Sequence, residues 1–154
     1  MKKTAKYHYT ESGLDNFYLE NGFEIVSTER GRGVRFHDLE GLHAAIGRAL
    51  IEETRPLTGK ELRFLRVELL LSQAALARLL GVKELTVARW ETGRTRIPAA
   101  VDAAVRALYL EKLDEKARFS ELLRAPGVVE PKVNRARERL LRERRGKWER
   151  AAQA

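Results

Sequence analysis

The side chains best suited to specific recognition chemistry lie within residues 83–90. Val87 and Trp90 are three residues apart, which places both of them on the inward face of a helix. The side chains that then face outward on the first turns of that helix are those of Lys83, Glu84, Leu85, Ala88 and Arg89. They combine cationic donors, a carboxylate acceptor and apolar groups, which are the groups that can contact base edges in the DNA major groove when a fold presents them there.

Arg89 is the strongest single candidate for a base contact. No acidic residue lies three or four positions from it, so no neighbour on its own helix can hold its guanidinium in an ion pair. The guanidinium is then available for guanine O6 and N7, whereas Glu84 can accept from cytosine or repel wrong sequences. Leu85 and Ala88 offer apolar contact, for example with a thymine methyl. The alternative is an ordinary helical hairpin whose charged face is only solvated.

Two short helices joined by a tight turn would position this surface. Ser72 is a good N-cap for a first helix over about 73–80, and Gly81 follows where a left-handed C-cap belongs. The second helix is expected to begin near Lys83 and to end at Gly93. This is the arrangement of a helix-turn-helix, which places its second helix in the major groove.

Residues 57–99 resemble the Cro/cI-type (Xre) helix-turn-helix domain. The resemblance implies a partly buried ion pair between Arg66 and Glu91, and the alternative is that both are exposed surface charges. The phosphate contacts expected with this domain are those of Gln73, Thr86, Arg94, Thr95 and Arg96. Lys83 and Glu84 stand where short polar or amide residues are more usual, so the base preference is not carried over.

The positive charge of the chain is concentrated in two segments. Residues 57–99 hold 8 Lys and Arg against 4 Asp and Glu, and residues 131–154 hold 9 against 3, in a chain of net charge +8. Such clustering is typical of a phosphate-binding protein, so we expect double-stranded operator DNA as the partner. The chain has no cysteine, no apolar stretch long enough for a membrane span and no apolar signal region. We therefore expect a cytoplasmic, nucleoid-associated protein that does not bind membranes.

The fold class expected is mainly α, with a helix-turn-helix five-helix domain preceded by a small N-terminal β-hairpin plus helix module. In residues 1–56, Asn21-Gly22 lies between the strand-like runs 17–19 and 23–26, which predicts a hairpin turn. A second turn over 30–33 precedes a short strand at 34–37. Asp38 then caps a helix whose inward residues are Leu39, Leu42, Ile46 and Leu50.

Residues 57–125 are expected to form the DNA-binding domain with its dimerising helices. Thr58 and Glu61 predict a capping box, after which Leu62, Leu65 and Leu69 face inward. A helix over about 99–115, continuing helical to Leu123, has an apolar arc wider than one face needs. We expect a homodimer because half-site binding requires one, and the alternative is that the whole stripe, which includes Val101, Val105, Leu108 and Leu113, is buried within one subunit.

Residues 126–154 are expected to be a basic tail. Val133, Ala136, Leu140 and Leu141 fall near one helical face, which predicts a helix, and the alternative is a solvated, frayed terminus. The functional interpretation is that the tail adds phosphate contacts outside the half-site, whereas a solvated, frayed terminus would add none.

The segments 7–22 and 39–47, together with the helix-turn-helix, are similar to MqsA-type antitoxins. That resemblance implies an N-terminal module that binds a toxin and a protein that represses its own operon. The zinc cysteines of that group are missing, and His8, His37 and His43 are too scattered to propose a metal site, so we expect no metal and no cofactor. The alternative is a stand-alone or phage-type regulator with no toxin partner, and the neighbouring gene would distinguish the two.

The alternative class of function is that of an enzyme, and we expect no catalysis. The segment 29–33 lacks the strand-to-helix context of a phosphate-binding loop, and there is no cysteine nucleophile. His37 and Asp38 are adjacent in sequence, so their side chains would tend to diverge.

Overall fold

The computed structural model describes residues 5–113 and 138–152. The chain divides into two compact units, one of residues 1–46 and 137–154 and the other of residues 47–136. The helices are α1 (Leu39–Ile51), α2 (Gly59–Glu68), α3 (Gln73–Leu80), α4 (Glu84–Glu91) and α5 (Ala99–Leu113). The strands are β1 (Tyr7–Tyr9), β2 (Phe17–Leu19), β3 (Phe23–Thr28), β4 (Gly31–Phe36), β5 (Arg139–Arg144) and β6 (Lys147–Arg150). The predicted fold class is confirmed.

The first unit is built on a four-stranded sheet of order β1-β2-β5-β6. β5 pairs in parallel with β2, while β1 with β2 and β5 with β6 are antiparallel. Tyr9, Phe17, Leu19 and Leu141 are at most 1% exposed and form its core. The Trp148 indole N–H donates to the backbone carbonyls of residues 37 and 38, both at 3.0 Å.

The helix predicted over the C-terminal tail is wrong for residues 139–150, which are two strands. The strands turn at Arg145 and Gly146, both of which have positive φ. Each strand buries few apolar side chains, Leu141 from β5 and Trp148 from β6, among many charged ones. With so few buried apolar residues, the alternation typical of a strand is weak in the sequence, and the apolar positions also fit one face of a helix. The segment forms strands because β5 pairs with β2. Val133 and Ala136 lie outside the described residues.

One hairpin of the first unit joins β3 to β4 and turns at residues 29–30, and β4 begins at Gly31 instead of the predicted 34. Asn21-Gly22 is not a hairpin turn, because β2 pairs with β1 and β5. The Asn21 side chain instead bonds the backbone of Glu143, donating at 3.2 Å and accepting at 2.7 Å. A Cβ at Gly22, where φ is 77°, would overlap the Trp148 ring. The turn signal therefore marks a tertiary contact.

The units divide within α1, between Ile46 and Gly47, whereas the sequence placed the boundary at 56. Asp38 caps α1 as predicted, since its carboxylate accepts from the backbone N–H of Gly41 at 3.0 Å. Three of the four residues predicted to face inward are buried, namely Leu42, Ile46 and Leu50. The fourth, Leu39, is 48% exposed because it occupies the first position of the helix.

The second unit contains a buried ion pair that the sequence did not predict. Arg106 on α5 is fully buried and lies 2.5 Å from the Asp102 carboxylate one turn earlier. Its guanidinium also donates to the backbone carbonyls of residues 50, 51, 53 and 55, at 2.6–3.2 Å. Asp102 in turn accepts from the backbone N–H of Leu57 at 2.7 Å. These bonds supply donors to the carbonyls of residues 50 and 51 at the end of α1 and to those of residues 53 and 55 in the segment that follows it.

The apolar stripe predicted on α5 is only partly buried within the described residues. Val105 is fully buried, while Val101, Leu108 and Leu113 are half-buried. Asp102 and Arg106 are among the buried residues of α5, so charged side chains occupy part of the face that the apolar stripe was expected to fill. The predicted continuation of the helix to Leu123 lies outside the described residues.

Candidate DNA interface

The helix-turn-helix geometry predicted from the caps is present. The Ser72 hydroxyl accepts from the backbone N–H of Ala75 at 3.0 Å, and α3 covers the predicted range 73–80. Gly81 ends it in the left-handed region, with φ 69°, and its N–H bonds to carbonyls of the last turn. The capping box of α2 is also confirmed, because Thr58 and Glu61 bond each other's backbone N–H at 3.2 and 2.8 Å.

Helix α4 presents one face to the core and the other to solvent. Val87 and Trp90 are 0% and 4% exposed, as the spacing predicted. Lys83 is the N-cap residue, and the helix ends at Glu91 with Thr92 as C-cap, two residues before the predicted Gly93. Gly93 has φ 76° and lies in the loop that follows.

The five residues expected to contact bases lie together on the outward face of α4, which we call the recognition surface. Lys83, Glu84 and Arg89 are exposed, Ala88 is half-buried and Leu85 is 58% exposed. Within the described parts of the chain, the Arg89 guanidinium has no hydrogen bond or ion pair. Because the Arg89 guanidinium is exposed and has no partner there, it is available to donate hydrogen bonds to an acceptor on another molecule.

Arg66 and Glu91 form a two-point ion pair between α2 and the end of α4. The Arg66 Nε lies 2.6 Å from Glu91 Oε2, and Nη2 lies 2.9 Å from Oε1. Both residues are buried, at 8% and 9% exposure, so they are not the exposed charges of the alternative interpretation. Arg66 Nη1 also donates to the carbonyl of Leu71 at 2.9 Å. The ion pair therefore links α2 to the end of α4 and to the segment between α2 and α3.

Gln73 joins this ion pair. Its side-chain nitrogen donates to Glu91 Oε1 at 3.1 Å, from the first position of α3. The first residue of α3 is thus bonded to the last residue of α4. The phosphate contact expected of Gln73 stays a prediction.

The other residues expected to contact phosphates flank the recognition surface. Arg94, Thr95 and Arg96 are exposed in the loop after α4, and Thr86 is half-buried in its first turn. The loop is held to the helix because the backbone N–H groups of Arg94 and Thr95 both donate to the carbonyl of Arg89, at 2.9 and 3.4 Å. These hydrogen bonds fix the backbone that carries the Arg94 and Arg96 side chains.

Gly59 is a structural residue that sequence reasoning missed. A Cβ at Gly59 would overlap the backbone carbonyls of Trp90 and Glu91, so only glycine allows the start of α2 to approach the end of α4. The signal was available, because a glycine directly after an N-cap is unfavourable for a helix unless packing requires it.

The three histidines have separate partners. His8 stacks on Tyr18, His43 bonds the Tyr9 hydroxyl at 2.6 Å, and His37 lies 3.9 Å from a Glu143 oxygen. Among the residues that the structure describes, no group of three or more potential ligands is placed to hold a metal ion.

Residues 58–127 match a family model described as a helix-turn-helix domain. Over this range, the chain is similar to helix-turn-helix domains. The match covers less than half of the 154 residues and includes the recognition surface and the Arg66–Glu91 pair. No curated protein and no solved structure matches the chain. No helix in the described ranges is long and apolar enough to cross a membrane.

Proposed function

We propose that this protein is a sequence-specific DNA-binding regulator that represses transcription, with α4 as its recognition helix. The observation that carries the proposal is the recognition surface, exposed on a helix whose opposite face is buried at Val87 and Trp90. A helix held at one end by the Arg66–Glu91 pair keeps its outward side chains in a fixed geometry, which precise base recognition requires.

In this proposal α4 enters the major groove with its first turns at the base edges. Arg89 donates to guanine O6 and N7. Arg94 and Arg96 neutralise phosphates along the groove, the Thr95 hydroxyl donates a hydrogen bond to a phosphate, and these contacts set the register. Repression follows because a protein bound at the operator occupies DNA that the transcription machinery needs. The proposed activity is binding alone, with no catalysis and no cofactor, and it is carried out in the cytoplasm at the nucleoid.

The proposed regulator is a homodimer that pairs through α5. Ala99 and Ala100 at the start of α5 are exposed, and Val101 and Ala104 in its next turn are half-buried. A second copy on this face would remove apolar surface from water and give two recognition helices for two half-sites. The expected operator is a two-fold symmetric sequence with half-sites about one helical turn apart.

An autoregulating antitoxin is the second candidate. The observation that favours it is the division of the chain into two compact units, because the first is then available to bind a toxin while the second holds DNA. A stand-alone regulator would have no such partner. Co-purification of the full chain with the product of the neighbouring gene supports the antitoxin, and its failure favours the stand-alone regulator.

The proposed DNA binding is tested by selecting bound duplexes from a random library with the purified full chain. The expected result is one enriched, two-fold symmetric sequence whose binding weakens steeply with salt. A library that stays unenriched after repeated rounds, at a salt concentration where bulk duplex still binds, would show that the protein does not discriminate sequences.

A further inference from the structure

The four-stranded sheet of the first unit has a second surface, opposite the core, that the proposed function does not use. Pairing places His8 beside Tyr18 and Tyr18 beside Leu140, in one row across three strands. Because side chains alternate along a strand, and Phe17, Leu19 and Leu141 are buried, this row faces away from the core. We call this surface the outer face.

The row on the outer face is an ordered aromatic platform. The rings of His8 and Tyr18 stack with their centroids 4.5 Å apart and an angle of 11° between their planes. The His8 ring is fixed in addition by a 2.7 Å hydrogen bond between Nε2 and the carbonyl oxygen of Asp15. The platform is therefore already ordered before any ligand arrives.

A cavity of about 610 Å³ opens beside this platform. Its lining includes Tyr18 and Leu140 together with two cations and two carboxylates, those of Lys6, Arg139, Glu20 and Glu138. Tyr18 borders the cavity and His8 does not, so we infer that the ring face away from His8 is turned toward it. A flat aromatic group entering the cavity would meet the Tyr18 ring as a wall and the shorter Leu140 side chain on the neighbouring strand as a floor.

Positive charge continues from the cavity along β5 and β6. Residues 139–150 hold 6 Lys and Arg against 2 Glu, whereas residues 5–46 of the same unit hold 4 against 7. Arg142 and Arg144 lie 2.9 and 3.9 Å from Glu149, so one acid partly offsets two cations. Arg145 and Lys147 at the turn are exposed and have no ion pair among the described residues.

We propose that the outer face binds single-stranded nucleic acid, with one base in the cavity against Tyr18 and the phosphates along Arg144, Arg145 and Lys147. An aromatic ring beside a basic strip is the arrangement that binds unstacked bases and their backbone. Glu20 and Glu138 both repel phosphate. Glu138 already bonds the Tyr18 hydroxyl, so Glu20 is the carboxylate that accepts from a base amino group, and the base enters the cavity while the backbone follows the cations. A duplex does not fit this arrangement, because its bases are stacked and paired. The binding is independent of α4 and of the proposed operator.

The test is fluorescence anisotropy of the full chain with labelled decamers of oligo-cytidylate and oligo-uridylate, each as RNA and as DNA. Cytosine and uracil have the same size, but cytosine offers an amino donor where uracil has a carbonyl acceptor. We expect cytidylate to bind more tightly than uridylate, and the RNA and DNA arms to show which backbone is preferred. If no decamer binds at micromolar protein, the proposal is overturned.

Two variants and their matched controls locate the binding. Tyr18→Leu is expected to weaken binding about tenfold, the effect of losing one stacked base, while Tyr18→Phe keeps the ring and stays within about twofold of the parent. The double variant Arg144→Glu with Lys147→Glu is expected to weaken binding and flatten the salt slope. Arg30→Glu with Arg32→Glu makes the same charge change on the exposed β3–β4 hairpin and is expected to have little effect.

The outcomes separate this proposal from its competitors, once circular dichroism shows that each variant is folded. Equal losses from both charge reversals would overturn the proposal, because attraction would then come from net charge alone. A Tyr18→Leu variant that binds as tightly as the parent would overturn the base site. Loss of duplex binding instead of decamer binding would reassign the outer face to duplex DNA, and decamer binding that survives Arg89→Ala would show its independence from α4.

Discussion

The buried pair of Arg66 and Glu91 makes a quantitative prediction about stability. Arg66 makes three hydrogen bonds, two to Glu91 and one to the Leu71 carbonyl, and Glu91 also accepts one from Gln73. Arg66→Met leaves the Glu91 carboxylate at 9% exposure with only the Gln73 amide as donor. Glu91→Leu leaves the buried guanidinium with only the Leu71 carbonyl. An uncompensated buried charge of this kind costs about 3–5 kcal/mol.

The double variant Arg66→Met with Glu91→Leu removes both charges and fills the space with apolar groups. It is expected to be less destabilised than either single variant, because no charge is left without a partner. Urea unfolding of the full chain, followed by circular dichroism at the helix band, measures each change in the free energy of unfolding. Arg63→Met, at an exposed position of the same helix, is the control and is expected to stay within about 0.5 kcal/mol of the parent.

Additive losses in the double variant would refute this reasoning, because they would mean that each charge stabilises the fold without the other. Single losses under about 1 kcal/mol would also refute it, since that is the range of solvent-exposed pairs.

Three further perturbations follow from the structure. Gly59→Ala is expected to destabilise the second unit by about 1–3 kcal/mol, because its Cβ meets backbone carbonyls that cannot move aside; Gly13→Ala, where φ is 85° and space is open, measures backbone strain without overlap, and thermal melts of the two variants separate the two causes. Arg106→Met is expected to cost about 3–5 kcal/mol, because it strands the buried Asp102 carboxylate, and an unfolding midpoint unchanged from the parent would contradict that role. Truncation after residue 130 is expected to unfold the first unit by removing β5 and β6, so the amide resonances of β1 and β2 should collapse in nuclear magnetic resonance spectra, and their persistence would show that the tail is dispensable.

The helix-turn-helix was predictable because its signals are local. Ser72 and Gly81 fix the ends of α3 through their own side chain and backbone angle, and the spacing of Val87 and Trp90 fixes the face of α4. Each of these properties depends on neighbours within a few residues. The spacing of the sequence therefore predicted which side chains of α4 face outward, and their contact with bases stays a prediction.

The first unit was harder because its partners are distant in sequence. β5 pairs with β2 across more than a hundred residues, and nothing in the spacing of 139–150 reveals that pairing. Asn21-Gly22 is a second example of a distant partner. The pair has the composition of a hairpin turn, but Asn21 bonds the backbone of Glu143 and Gly22 packs against Trp148. Buried charge was missed for another reason. Asp102 and Arg106 have the composition of a helix surface, and only the carbonyls at the end of α1 explain their burial.

Arg89→Ala tests most directly whether α4 contacts base edges through Arg89. Affinity is measured on the selected duplex and on a scrambled duplex of the same composition, with Arg63→Ala as the control for the loss of one exposed arginine. We expect a loss of about 1–3 kcal/mol on the selected duplex, little change on the scrambled one, and relaxed selectivity at one base pair. Equal losses on both duplexes would assign Arg89 to a phosphate, and no loss on either would remove α4 from the DNA interface.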